Sequence, residues 1–292
     1  MLAPPLVGRT QERALLVRHL AGEGPPLLLL TGEPGIGKSR LLANTLGTAY
    51  AQGWTTLHGG CSRRSGQEPY APIVGALTRF LSSRTPAQRC QELAGCEWLM
   101  RLLPEFADAT VVPTPAWILP SEQERRLMFE AVVRFARNVA GPAGTLLVLD
   151  DLHRAGADAL DLLATLAHAG AEEGLRLVGA YRATDVRSEH PLAIMVADLA
   201  QAGLVQQAQV GPLAPTEAAE LLGRLLIEES AQVEQVEQVL DRCGGGHFTW
   251  RATRAGCVRD WQASPGTWHR AFSSGWRHCP HWHETYSRLR PS

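Results

Sequence analysis

The chain has 292 residues, a formal net charge of −1 and an apolar fraction of 45%. This length allows one large or two ordinary domains, and the near-zero charge gives no overall attraction to nucleic acid or to an anionic membrane. Six cysteines without a C-x-x-C pair argue against a zinc ribbon or a disulfide scaffold. No apolar run approaches a membrane span and the first residues do not resemble a signal peptide, so we expect a soluble, cytoplasmic protein.

The first motif along the chain is Val7-Gly8-Arg9, followed by a short amphipathic segment over residues 12–20. From the residues alone, Val-Gly-Arg indicates a turn before a helix. The helix is predicted because its apolar positions recur on or near one face. These positions are Leu15, Leu16, His19 and Leu20.

The strongest motif is a glycine-rich stretch between an apolar run at 27–30 and an apolar-periodic segment at 38–52. It reads Gly32-Glu33-Pro34-Gly35-Ile36-Gly37-Lys38-Ser39-Arg40. Gly-x4-Gly-Lys-Ser between a strand and a helix is typical of a phosphate-binding P-loop. Its glycines let backbone N–H groups point at phosphate oxygens, and the helix contributes the positive end of its dipole. The motif therefore predicts a nucleotide site over residues 32–40.

Two residues of this motif have predicted roles of their own. Lys38, the only lysine in the chain, supplies a compact positive charge to the β- and γ-phosphates of ATP. The Ser39 hydroxyl is placed to hold Mg²⁺.

The stretch from 54 to 139 contains weaker signals. We predict a strand at 54–60, a helix at 72–81, and short helices with an irregular loop over 84–120. Trp98 and Trp117 are expected to cover the core rather than to recognise a ligand. Ser121-Glu122-Gln123-Glu124 predicts a capping box that begins a helix through about residue 139. The expected buried side of that helix comprises Leu127, Phe129, Val132, Val133 and Ala136.

The second strong signal is the apolar run that ends in Asp150 and Asp151. A continuous apolar run is typical of a central parallel strand, and such sheets bind ligands at the carboxyl ends of their strands. Behind a P-loop, this pattern indicates a Walker B motif. We assign Asp150 to Mg²⁺ and Asp151 to orienting or activating the attacking water.

The remaining elements alternate between helices and strands. A helix is predicted at 158–169, a strand at 175–181 that ends at Arg182, a helix from His190, and a last strand at 204–210. From the residues alone, Arg182 either forms a salt bridge or holds phosphate oxygens. Further helices are predicted near 216–227 and 231–242.

Together, Val7-Gly8-Arg9, the P-loop and Asp150-Asp151-Leu152-His153 resemble the start of AAA+ ATPases, especially the STAND-type signalling ATPases of bacterial LuxR-type transcriptional regulators. The resemblance implies that residues 7–9 lie over adenine and ribose and that Arg182 is the sensor of the γ-phosphate. For His153, a surface position and a functional role both stay open. The implied fold is α/β, a P-loop NTPase three-layer sandwich with a mostly parallel sheet and a partial helical lid.

The function implied by this resemblance is Mg-ATP binding with slow, switch-like hydrolysis, with ATP and ADP as ligands. Self-association through the ATPase domain is left open. One alternative is a nucleotide-binding switch without significant turnover. Another is an initiator-like AAA+ protein that loads on DNA, which should carry a basic DNA-binding domain, and none is visible before residue 245.

The sequence predicts an ATPase domain at 1–210, a partial lid at 211–245 and an atypical tail at 246–292. The tail holds five of the eight tryptophans and five of the ten histidines, and it keeps no amphipathic period. GC-rich codons for residues 268–280, read one base earlier, give an amphipathic sequence like the continuation of the family. We therefore expect a frameshifted, disordered tail and a truncated regulator. Sequencing the gene tests this expectation.

Overall fold

The computed structural model describes residues 6–61, 69–107, 119–170 and 174–226, and the structural statements below concern these residues. The helices are α1 (Thr10–Leu20), α2 (Lys38–Ala51), α3 (Ala71–Ser82), α4 (Pro86–Glu92), α5 (Ser121–Asn138), α6 (Ala157–Gly170), α7 (Pro191–Gln201) and α8 (Pro215–Leu226). The strands are β1 (Leu27–Gly32), β2 (Trp54–Gly60), β3 (Gly144–Asp150), β4 (Leu175–Arg182) and β5 (Val205–Gln209). Short 3₁₀ turns lie at Glu97–Arg101, Pro104–Phe106, Leu152–Arg154 and Ala183–Asp185.

The five strands form one sheet in the order β2-β3-β4-β1-β5, and every pair of neighbouring strands is parallel. Parallel neighbours require crossover connections, which the intervening helices provide. The prediction of an α/β P-loop NTPase fold with a mostly parallel sheet is therefore confirmed. The predicted strands and helices up to residue 226 are all present, with ends that agree to within two residues.

Both faces of the sheet are buried, as the leucine run of β1 requires. Leu27 and Leu29 join an apolar cluster formed with helices α3, α5, α6 and α7. Leu28 and Leu30 are equally buried and point to the opposite face, because successive side chains of a strand alternate. There α2 contacts β1, β2, β3 and β4, and α1 packs on α2. Helices therefore cover both faces of the sheet.

The predicted capping box of α5 is wrong, although the helix is correct. The N-cap of α5 is Pro120, without a side-chain cap, and the Pro120 carbonyl accepts the first helical hydrogen bond from Glu124 N. Ser121 is therefore already the first residue of the helix and cannot cap it. A capping box exists instead on α4, where Thr85 and Gln88 bond reciprocally.

The described residues form two compact units. The first comprises residues 10–33 and 37–210 and contains the whole sheet. The second comprises residues 6–9, 34–36 and 211–226, and contains α8. The predicted helix at 231–242 and the atypical tail lie outside the described residues. Within the described ranges, no helix combines the length and the apolarity needed to cross a bilayer.

One buried histidine gives this fold a predictable dependence on pH. His19 of α1 is 3% exposed, and its Nε2 atom has no hydrogen-bond partner among the described residues. Burial, and secondarily the positive charge of Arg176, lower the pKa of His19 to about 4, against the opposing effect of a backbone hydrogen bond at Leu177. The folded chain therefore resists protonation at a site that the unfolded chain protonates near its usual pKa of 6.5.

We predict that this difference costs stability as pH falls from 6.5 towards 4. In that window the unfolded state binds a proton that the folded state does not, so the free energy of unfolding decreases by about 2 kcal/mol between pH 7 and pH 5 from this group alone. The measurement is urea denaturation of the wild type and of His19→Leu at both pH values. Since all other titrating groups are common to both proteins, their stability difference should shift by that amount. Parallel pH profiles would contradict the prediction.

Candidate nucleotide-binding site

Three strand ends meet at one edge of the sheet. Because β3, β4 and β1 are parallel neighbours, their last residues, Asp150, Arg182 and Gly32, lie at the same carboxyl edge. Gly32 and Arg182 are direct partners in the register of β1 and β4. Open parallel sheets bind ligands outside this edge. The fold therefore brings together the first residue of the P-loop, the Walker B carboxylates and the predicted sensor.

Lys38 is the centre of this arrangement. It is the first residue of α2 and is only 7% exposed. Its Nζ atom donates hydrogen bonds to the carbonyl oxygens of Gly32 and Glu33, both at 2.8 Å. These bonds hold the ammonium group against the loop that leaves β1. A lysine ammonium has three N–H donors, so one remains for an acidic oxygen of a ligand.

Charged residues at the ends of β3 and β4 influence the pKa of Lys38. Burial is the main cause that lowers the pKa of Lys38, and the nearby positive charge of Arg182 lowers it too. Asp150, Asp151 and Asp185 act in the opposite direction. The ammonium group is therefore within electrostatic reach of the ends of β3 and β4.

The P-loop backbone adopts conformations that favour glycine. Gly35 has φ 78° and Gly37 has φ 107°, both in the region that side chains disfavour. At Gly37 an added Cβ would meet nothing within 4 Å, so the requirement is conformational and not steric. Gly37 is the N-cap of α2 and gives no side-chain cap, and the first turn of α2 carries no acidic residue. The first N–H groups of α2 are thus not satisfied by a cap, and an anion can accept from them.

Asp151 lies just beyond β3 in a left-handed conformation, with φ 55°. Its Oδ1 atom lies 3.8 Å from Nδ1 of His153 and 3.9 Å from Nε of Arg182. Its Oδ2 atom lies 3.6 Å from Nη1 of Arg154. Asp150 is held differently, because its Oδ1 atom accepts a hydrogen bond from the backbone N–H of Asp151 at 2.8 Å. The two carboxylates therefore have distinct surroundings.

Two charged residues near Asp151 and Arg182 were not predicted from the sequence as part of the site. Asp185 lies in the 3₁₀ turn after β4, and its Oδ2 atom is 4.0 Å from Nη1 of Arg182 and 3.4 Å from Nε2 of His153. Arg154 ends the 3₁₀ turn after β3. The available signal was the spacing of three residues, from Arg182 to Asp185 and from Asp151 to Arg154, which places both partners on one side of a tight turn.

Within the second unit, Arg9 is buried, at 5% exposure. Its guanidinium donates to the carbonyl oxygen of Ile36 at 2.9 Å and to that of Gly211. Its backbone N–H donates to Oε1 of Glu217 in α8 at 3.1 Å. A side chain at Gly8, which has φ 64°, would collide with the same Glu217. Val7-Gly8-Arg9 is therefore packed against residues 34–36 and α8 of its own unit.

The other predicted site residues differ in exposure. Val7 and Ile36 are buried, whereas the P-loop residues Glu33, Pro34, Gly35 and Ser39 are exposed and Arg40 is half-buried. Ser39, whose hydroxyl is the predicted metal ligand, is thus an exposed residue.

The donor set assigned to a metal fits Mg²⁺. It consists of the Ser39 hydroxyl and the carboxylate of Asp150, which are hard oxygen ligands of the kind that Mg²⁺ takes alongside waters and phosphates. Only one oxygen of Asp150 is engaged by the Asp151 N–H, so the other can face a cation. When bound, Mg²⁺ would neutralise negative charge on the β- and γ-phosphates.

The comparisons with solved structures give low similarities. A replication initiator DnaA bound to AMPPCP and single-stranded DNA aligns with a TM-score of 0.49 at 12% identity, covering 92% of this chain and 67% of that one. AMPPCP-bound DnaA from Aquifex aeolicus gives 0.47 at 13%, covering 98% and 68%. A RuvB variant from Thermotoga maritima gives 0.45 at 16%, covering 85% and 61%. These values are too low to transfer a ligand or a partner. No curated protein matches the chain.

A family model gives the decisive comparison. The model described as AAA ATPase domain matches residues 5–179, which is more than half of the 292-residue chain. The matched region contains Val7-Gly8-Arg9, the P-loop with Lys38, and the two carboxylates at the end of β3. The match therefore covers the elements that bring the buried lysine and the two aspartates to one edge of the sheet, and the chain belongs to the AAA ATPase domain family.

Proposed function

We propose that this AAA ATPase domain binds Mg-ATP at its P-loop and hydrolyses it slowly, as a signalling switch of a bacterial LuxR-type transcriptional regulator. The observation that carries the nucleotide site is the buried Lys38, held by two loop carbonyls and within electrostatic reach of Asp150, Asp151 and Arg182. A buried cation with an unused donor, next to uncapped helix N–H groups, is suited to phosphate oxygens.

Each residue of the sheet edge has a proposed task. Lys38 binds the β- and γ-phosphates, and Ser39 and Asp150 hold Mg²⁺. Asp151 orients the attacking water, and Arg182 holds an oxygen of the γ-phosphate. The resemblance to STAND-type ATPases assigns adenine and ribose to Val7-Gly8-Arg9.

Slow turnover is supported by the surroundings of Asp151. One of its oxygens faces Arg182 and His153, and the other faces Arg154, at 3.6–3.9 Å. A carboxylate that is paired on both oxygens must give up a partner before it can orient a water molecule. The same observation favours the alternative of a binding switch without turnover, so the experiment must separate binding from hydrolysis.

The experiment compares Asp150→Asn with Asp151→Asn by calorimetric titration with ATP and by phosphate release. We predict that Asp150→Asn lowers the affinity for ATP in the presence of Mg²⁺ at least about tenfold, because it removes an anionic oxygen ligand. Asp151→Asn should keep the dissociation constant within about twofold and lower turnover by about 10²–10⁴-fold, as expected for the loss of a general base.

Asp198→Asn is the matched control, because Asp198 is an exposed carboxylate on α7. It should leave affinity and turnover unchanged. Equal loss of binding in Asp150→Asn and Asp151→Asn would contradict the division of roles. A wild type that binds ATP and releases no phosphate above background would support the switch without turnover.

A further inference from the structure

His153 lies between two carboxylates that come from different strands. Its side chain is 3% exposed. Nδ1 lies 3.8 Å from Oδ1 of Asp151, which follows β3, and Nε2 lies 3.4 Å from Oδ2 of Asp185, which follows β4. The ring therefore spans the gap between the ends of the two strands. This position rules out the surface location that the sequence left open for His153.

Arg182 faces the same two carboxylates from the other side. Its Nε atom is 3.9 Å from Oδ1 of Asp151, and its Nη1 atom is 4.0 Å from Oδ2 of Asp185. His153 and Arg182 thus lie next to the same oxygen atom of each aspartate. The four side chains form a closed ring in which two donors alternate with two carboxylates.

The imidazole is poorly satisfied for a residue that only fills the core. Neither ring nitrogen of His153 has a hydrogen-bond partner among the described residues. Burial is the main cause that lowers the pKa of His153, with Arg182 and Arg154 acting in the same direction and Asp151 and Asp185 against it. A neutral imidazole has one N–H donor and one acceptor nitrogen. It can therefore donate to one of the two carboxylates at a time.

The shared oxygen of Asp151 gives this geometry a consequence for hydrolysis. If Arg182 turns its guanidinium towards an oxygen of the γ-phosphate, Oδ1 of Asp151 loses that cation. Nδ1 of His153 then remains beside the same oxygen, at 3.8 Å. In the tautomer that carries the proton on Nδ1, a hydrogen bond from this atom would keep the carboxylate in a fixed orientation while Oδ2, once released from Arg154, faces the water.

We propose that His153 is a positioning residue for ATP hydrolysis, which takes over Oδ1 of Asp151 when Arg182 engages the γ-phosphate. Asp185 is the second member of the device, since its Oδ2 atom lies beside both Nε2 of His153 and Nη1 of Arg182 at the end of β4. The inference rests on the proposed function, because it needs a chain that hydrolyses ATP.

The test measures kcat and KM for phosphate release, together with the calorimetric dissociation constant for ATP, in the full chain. His153→Leu removes both ring nitrogens and keeps an apolar side chain. We expect kcat to fall at least about tenfold with the dissociation constant within about twofold, because the lost bond acts on the water and not on the phosphates. His168→Leu, on the exposed side of α6, is the matched control and should change neither quantity.

Two further variants distinguish positioning from packing. Asn has an amide nitrogen near the position of Nδ1, so His153→Asn should recover most of the lost kcat. Asp185→Asn should lower kcat without changing the dissociation constant for ATP. The double variant His153→Leu/Asp185→Asn should have a kcat no more than about twofold below that of the slower single variant, because both residues act through one device. If His153→Leu does not fold, as judged by thermal unfolding, His153→Asn and Asp185→Asn still decide the result.

The outcomes separate this inference from the proposed function. If the wild type hydrolyses ATP and His153→Leu has an unchanged kcat, the inference is overturned and the proposed function stands. If His153→Asn is as slow as His153→Leu, or if the effects of His153→Leu and Asp185→Asn multiply, the shared device is overturned. If the wild type binds ATP without hydrolysis, the proposed turnover and the inference fail together.

Discussion

Replacing Lys38 by alanine should lower the affinity of the chain for ATP at least about tenfold. The ammonium group is buried, and its Nζ atom is held by the carbonyls of Gly32 and Glu33 at 2.8 Å, which keeps one donor for the phosphates. Hydrogen bonds that involve a charged group contribute about 1.5–3 kcal/mol each, and about 1.4 kcal/mol corresponds to a factor of ten in affinity. Calorimetric titration of wild type and variant with Mg-ATP measures the difference.

The control for Lys38→Ala is Arg13→Ala, which removes a positive charge from the exposed side of α1. It should leave the affinity unchanged. Thermal unfolding without nucleotide shows whether the loss of the two carbonyl contacts weakens the fold as well. An affinity of Lys38→Ala equal to that of the wild type would rule out the P-loop as the site.

Replacing Gly59 by alanine should destabilise the folded chain by about 3 kcal/mol, at the upper end of the usual cost of overpacking a core. A Cβ at Gly59 would lie 1.9 Å from the carbonyl oxygen of Pro72, which belongs to the backbone of α3 and cannot swing aside. This steric overlap can be relieved only if β2 and α3 move apart. Gly59 pairs with Leu149 in the sheet, one residue before Asp150, so the strain also reaches the site.

The matched control is Gly75→Ala, in the α3 helix that Gly59 contacts. A Cβ at Gly75 would meet nothing within 4 Å, and alanine in a helix interior is favoured over glycine by about 0.5–1 kcal/mol. We expect its stability to equal or exceed that of the wild type. Urea denaturation of both variants measures the effects, and equal stability of Gly59→Ala and wild type would show that the close approach of β2 and α3 is not required.

The sheet could be predicted from the sequence because its strands are short apolar runs with sharp ends. The four leucines at 27–30 and the run before Asp150 are typical of strands at the centre of a parallel sheet that is covered on both faces. The P-loop was equally visible, since the spacing of its glycines, lysine and serine follows from phosphate geometry.

The contacts that surround the site could not be predicted, because they depend on how turns after different strands meet. Asp185 is an ordinary acidic residue in the sequence, and its relation to His153 exists only because β3 and β4 are neighbours. Ser121 shows the local limit of pattern reasoning. Its capping box has the right residues, but the N-cap is Pro120, one position earlier, and Ser121 already belongs to the helix.

The measurement that tests the central claim most directly is a calorimetric titration of the wild-type chain with ATP, with Mg²⁺ present and then with Mg²⁺ removed by a chelator. The proposed site predicts one ATP per chain, with weaker binding when Mg²⁺ is absent because Ser39 and Asp150 can no longer act through the metal. No binding of ATP by the folded wild-type chain, in either condition, would contradict the account.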